Sequence, residues 1–122
     1  MADSFRDLLI DLFQPVGDVS FRRMFSGSGI FRDGLMFALV VKETLYFKTD
    51  EATVADFEAE GSRPFTFTTR GELRATSYWS APERLYDEPD DFRDWALAAF
   101  AVAERSKAEK PKKKARKKSG KA

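Results

Sequence analysis

Four clusters of polar, charged or sulfur-bearing side chains stand out along this sequence. The first is Ser26-Gly27-Ser28-Gly29, with Arg22 and Arg23 just before it. Adjacent glycines let backbone N–H groups converge on a phosphate, which makes the segment a candidate anion nest. The same Ser-Gly repeat is also ordinary tight-turn chemistry, and it matches neither a Walker loop nor a dinucleotide fingerprint. Tyr46 and Lys48 are polar groups on an otherwise apolar stretch and could meet Arg23 around a ligand or an acidic partner. Strand alternation offers the plainer reading, in which Arg and Lys stems lie along apolar surface with their heads in water. The candidate ligand- or partner-binding set is therefore Arg22, Arg23, Ser26, Gly27, Ser28, Gly29, Tyr46 and Lys48.

Two further groups have plainer explanations. Asp87, Glu88, Asp90 and Asp91 offer the oxygen ligands that hard cations take. No glycine-containing calcium loop accompanies them, and their place just before an apolar helical repeat explains them as helix caps. Met24, Met36 and the numerous Phe residues could line an acyl or nucleotide pocket, but their spacing fits a hydrophobic core.

The C-terminal group is electrostatic. Lys110, Lys112, Lys113, Lys114, Arg116, Lys117 and Lys118 form a dense cationic run whose binding would release counterions from DNA or RNA. It holds no aromatic residue to stack on bases, so the contact it predicts is weak and independent of sequence. A solubilising extension or attraction to anionic lipid are the other uses of such a run. From Met1 to Ser106 there are 12 basic and 19 acidic residues, and from Lys107 to Ala122 there are 9 basic and 1 acidic. An acidic body thus carries a basic tail.

Composition narrows the chemistry further. The 122 residues contain no Cys and no His, which removes disulfides, thiolate chemistry and the commonest zinc ligands. Neither an enzyme nor a bound cofactor or metal is expected. No apolar run approaches the roughly 20 residues that span a bilayer, and Met1-Ala2-Asp3-Ser4 lacks the pattern of a signal peptide, so a cytoplasmic protein is expected.

Apolar periodicity and turn residues predict the helices and strands on which these side chains sit. Phe5, Leu8, Leu9, Leu12 and Phe13 mark one face of a helix that Pro15 and Gly17 end. Strands are predicted over Val19 to Phe25, Gly29 to Arg32, Leu35 to Val41 and Leu45 to Lys48, with Asp33-Gly34 as a hairpin turn. Asp50 can cap a helix that runs to about Glu60 and stops at Gly61. Alternation around Phe65, Phe67, Ala75, Ser77 and Trp79 predicts a further hairpin across Arg70-Gly71. A short helical piece after Pro82 precedes a last helix from Pro89, whose apolar face includes Phe92, Trp95, Ala96, Ala99, Phe100 and Ala103. The fold class is α+β: an antiparallel sheet of about five or six strands packed with N- and C-terminal helices over residues 1–106, and a disordered basic tail over 107–122.

Several of these joints carry a resemblance. Arg23-Met24-Phe25-Ser26-Gly27-Ser28-Gly29-Ile30-Phe31, then Gly34, Met36-Phe37-Ala38, Leu45-Tyr46-Phe47-Lys48 and Asp50, with Phe57, Gly61, Pro64-Phe65, Phe67, Gly71, Tyr78, Pro82 and Trp95, resemble the N-terminal domain of the TfoX/Sxy family of bacterial competence regulators. Ser26 stands where that family usually has Gly. Full-length members carry a second helical domain where this chain has its basic tail, so it resembles the stand-alone members. The resemblance implies regulation of transcription through a protein partner, without catalysis; the charge of the tail separately adds non-specific affinity for nucleic acid. The alternative from another class is a small anionic-ligand binder, or an enzyme, built on Arg23, Tyr46, Lys48 and the Ser26 to Gly29 segment.

Overall fold

The computed structural model describes the backbone of residues 2–24 and 27–121, and side chains over 4–24 and 27–108. Helix α1 (Ala2–Phe13) leads through a 3-10 turn (Gln14–Val16) into four consecutive strands: β1 (Val19–Met24), β2 (Gly27–Arg32), β3 (Leu35–Val41) and β4 (Thr44–Lys48). Helix α2 (Val54–Ala59), the hairpin β5 (Pro64–Thr69) and β6 (Glu72–Ser80), a second 3-10 turn (Glu83–Asp87) and helix α3 (Pro89–Lys121) complete the chain. The basic run from Lys110 to Lys118, expected to be disordered, lies outside the residues whose side chains are described.

All six strands form one antiparallel sheet in the order β1-β2-β3-β4-β6-β5. Three of its hairpins turn on two-residue loops with both central residues left-handed: Asp33-Gly34, Lys42-Glu43 and Arg70-Gly71. This backbone twist matches that of the flanking strands, which is why it sets register so firmly. The predicted hairpins at Asp33-Gly34 and Arg70-Gly71 are therefore present. The placement of β6 between β4 and β5 depends on long-range pairing through Phe47 and Trp79.

Strand alternation gives the sheet two unlike faces. Across the ladder, Phe21, Ile30, Ala38, Phe47, Trp79 and Pro64 stand in register as one row. This row faces the helices, because Phe13 of α1 makes edge-to-face contacts with Phe21, Phe37, Phe47 and Phe92, and Phe100 of α3 does so with Phe37. Phe13, Phe37, Phe47 and Phe92 are all fully buried. Helix α2 joins the same layer through Phe57, whose ring packs on Trp95 of α3 at 4.8 Å. Trp95 is only partly buried, so the apolar face of α3 centres on Phe92, Ala96 and Val102.

Candidate functional site

The second face of the sheet is built from the alternate residues. Arg22, Gly29, Leu39, Tyr46 and Ser80 form its central row, and Phe31 pairs with Met36 beside it. Met24, Phe31, Met36, Leu39, Tyr46, Phe65 and Tyr78 are partly exposed, and none of them belongs to the helix-covered core. Among the described residues no helix lies over this face. Its rings are held in pairs: Tyr46 meets Phe65 at 5.2 Å, the Arg22 guanidinium lies 4.9 Å from the Phe31 ring, and the Lys48 ammonium lies 5.1 Å from the Tyr78 ring. The Tyr78 hydroxyl crosses β4 to donate to the Met36 carbonyl at 3.4 Å, and burial pushes its phenol up to about 12.

Gly27, Ser28 and Gly29 lie inside β2, paired with β1 on one side and β3 on the other. Their amides serve the ladder rather than converging on an anion, which is where the nest reading of this segment parts from the structure. The glycines answer to crowding. A Cβ at Gly27 would overlap the Val40 carbonyl, and one at Gly29 would lie 2.6 Å and 2.7 Å from the Met24 and Met36 sulfurs. Met24 and Met36 thus roof Gly29 on the second face instead of filling the core. Ser26 lies outside the described residues.

Arg23, Tyr46 and Lys48 do not enclose one cavity. Arg23 pairs with Ser28 at the β1 edge and alternates with Phe21 on the helix side, whereas Tyr46 is on the opposite face three strands away. Lys48, at the end of β4, donates to the Ser77 hydroxyl at 3.3 Å. It also edges a shallow, mostly apolar groove of about 250 Å³ between α2 and α3, lined by Phe57, Trp95, Ala98 and Ala99 with Asp56 and Asp94. Neither Arg23 nor Tyr46 reaches that groove.

Two of the acidic residues at the start of α3, Glu88 and Asp91, are held by one arginine. Arg84 donates to Glu60 at 2.9 Å, Glu88 at 2.6 Å and Asp91 at 2.8 Å, joining α2 to the start of α3. The Arg84 hydrogen bonds hold the Glu60 carboxyl below its usual range. Asp50 accepts from the Ala52 and Thr53 amides, capping the turn before α2, and from Arg105 at 2.7 Å. Partial burial pushes the Asp50 carboxyl up, but the hydrogen bond and charge of Arg105 outweigh it and set the carboxyl lower than usual. No group of acidic side chains suited to a metal occurs among the described residues.

The family model of the TfoX N-terminal domain matches residues 11–103. The chain belongs to the TfoX N-terminal domain family. The match spans the sheet and its helices from the end of α1 to α3, making this a TfoX-type regulatory domain. A search of curated proteins found no match to it. No described helix of this TfoX-type domain is long and apolar enough to cross a membrane. Phe31, Phe65 and Tyr78 are not recognisable from the sequence as members of a shared surface, because apolar residues alternate on both sides of the strands and only the helix positions tell the sides apart.

Proposed function

We propose that this TfoX-type domain regulates transcription by contact, through a protein partner in the cytoplasm, without catalysis of its own. The family match carries the reading. The scattering of Arg23, Tyr46 and Lys48 over both faces of the sheet supports contact over catalysis, since these candidates share no pocket where a reacting atom could sit. The basic run from Lys110 to Lys118 adds phosphate affinity to a body whose net charge would repel DNA.

The test is genetic and biochemical together. Deleting the gene should change the levels of a defined set of transcripts, and the tagged full chain expressed from its own locus should restore them and retain a partner after crosslinking. Unchanged transcripts would refute the regulatory reading. For the tail, the full chain should bind duplex DNA with log K falling against log salt by a slope near −5 if about six phosphates are engaged. Changing Lys112, Lys113, Lys114, Lys117 and Lys118 to Gln should abolish most of that slope, and a slope unmoved by these changes would remove the tail mechanism.

A further inference from the structure

Charge is partitioned between the two layers of this domain. The six strands carry Arg22, Arg23, Arg32, Lys48 and Arg74 but a single carboxylate, Glu72, which is paired with Arg74 at 3.3 Å. The remaining acidic residues of the body lie in the helices and connections; the turns bring Asp33 and Glu43 to the ends of the strands. An acidic body thus turns a nearly carboxylate-free sheet outward, and on its uncovered face cations stand beside rings at Arg22–Phe31 and Lys48–Tyr78, while Tyr46 and Phe65 pair from β4 to β5.

We propose that this uncovered face binds single-stranded nucleic acid, stacking bases on Tyr46, Phe65 and Phe31 while Arg22 and Lys48 meet phosphates. A repeated pairing of ring with cation matches a polymer that repeats base with phosphate. An acidic peptide would use the cations and leave the rings idle, and a second copy would set Arg22 and Lys48 against the same positive face. Duplex DNA keeps its bases inside the stack, out of reach of rings on a sheet. From β1 to β4 the row crosses three strand spacings, roughly 14 Å, room for the two or three bases that aromatic sheet platforms stack. The site is separate from the tail and does not depend on its contact with phosphates.

The experiment is fluorescence anisotropy of the full chain with labelled 12-nucleotide oligo-dT, its oligo-U counterpart and a 12-base-pair duplex at physiological salt. A polycation alone favours the duplex, which has the higher charge density, so tighter binding of either single strand supports the face. Which of the two binds better identifies DNA or RNA as its source. Tyr46→Ala should weaken single-strand binding about 5- to 150-fold, the range of one lost base stack, with duplex binding unchanged. Arg22→Glu, at an exposed position with no part in the core, tests the same face should Tyr46→Ala fold poorly, and should lose at least about fivefold. Duplex bound as well as or better than both single strands would overturn the proposal. So would single-strand affinity untouched by Arg22→Glu, or a dimer in sedimentation that Arg22→Glu dissociates, which would assign the face to a second copy.

Discussion

Phe13→Ala should cost this domain about 4–5 kcal/mol. Truncating a buried Phe costs about 3–5 kcal/mol from lost transfer energy and the cavity left behind. Phe13 belongs at the upper end, because its ring is fully buried and lies between 5.0 and 6.4 Å from four other rings, all edge to face. Each such pair is worth about 0.5–1.5 kcal/mol beyond area, so the surroundings cannot recover the loss by relaxing toward a methyl group. Against a total of about 5–15 kcal/mol the variant is left marginal. At about 4 °C per kcal/mol, the midpoint of thermal unfolding should fall by about 16–20 °C. Urea melts should show a lower midpoint at unchanged slope. Phe67→Ala is the matched comparison: with 43% of its surface exposed, it should change stability by no more than about 1 kcal/mol. A loss below about 2 kcal/mol at Phe13 would mean that the ring cluster does not hold α1, α3 and the sheet together.

Other outcomes follow from the same structure. Gly27→Ala should prevent folding or cost far more than Gly29→Ala, because its Cβ meets the Val40 backbone while that of Gly29 meets movable Met sulfurs; paired urea melts decide, and equal losses would contradict the crowding account. Asp50 and Glu60 both have lowered carboxyls, so their stabilisation is present above the unfolded carboxylate range and is lost as pH falls through the folded values. Melting temperatures of Arg105→Gln and Arg84→Gln should accordingly fall less than the parent's on acidification from pH 5 toward 3. Tyr78 runs the opposite way: its raised value favours the folded state below pH 10, and that advantage is lost between about pH 10 and 12, so Tyr78→Phe should flatten the alkaline limb of a stability profile.

Much of the fold was legible because local rules and tertiary structure agree. Asp33-Gly34 and Arg70-Gly71 announce hairpins, and β3 (Leu35–Val41) has the limits its apolar run predicts. Local signals failed where the cause is distant. Gly27 and Ser28 read as loop because glycine usually serves turns, while here the need for glycine comes from Val40 and two methionines elsewhere in the sequence. Asp50, expected to cap the second helix, closes a turn with its carboxylate first, and the helix begins only at Val54. Arg105 reaches Asp50 across 55 positions, a pairing no periodicity encodes. The uncovered face was obscured for a related reason: Phe31, Met36, Leu39 and Tyr46 are as apolar as a core, and only the confinement of the described helices to the other side shows that they are not one.

The Lys42-Glu43 turn has a consequence for how the chain folds. With β1 to β4 consecutive in the chain and each paired with the next, two thirds of the strands are assembled from neighbouring segments, and such local pairings form quickly. The seating of β6 against β4, and of α1 against α3, must wait for distant segments to meet. Yet Lys42 and Glu43 both occupy left-handed backbone at φ of 49° and 61°, where side-chain-bearing residues are disfavoured and Asn-Gly is at ease. The chain therefore holds an unused kinetic reserve at its early step. Replacing Lys42-Glu43 with Asn-Gly should accelerate refolding while leaving unfolding nearly unchanged, if the β3–β4 hairpin is already formed at the rate-limiting barrier.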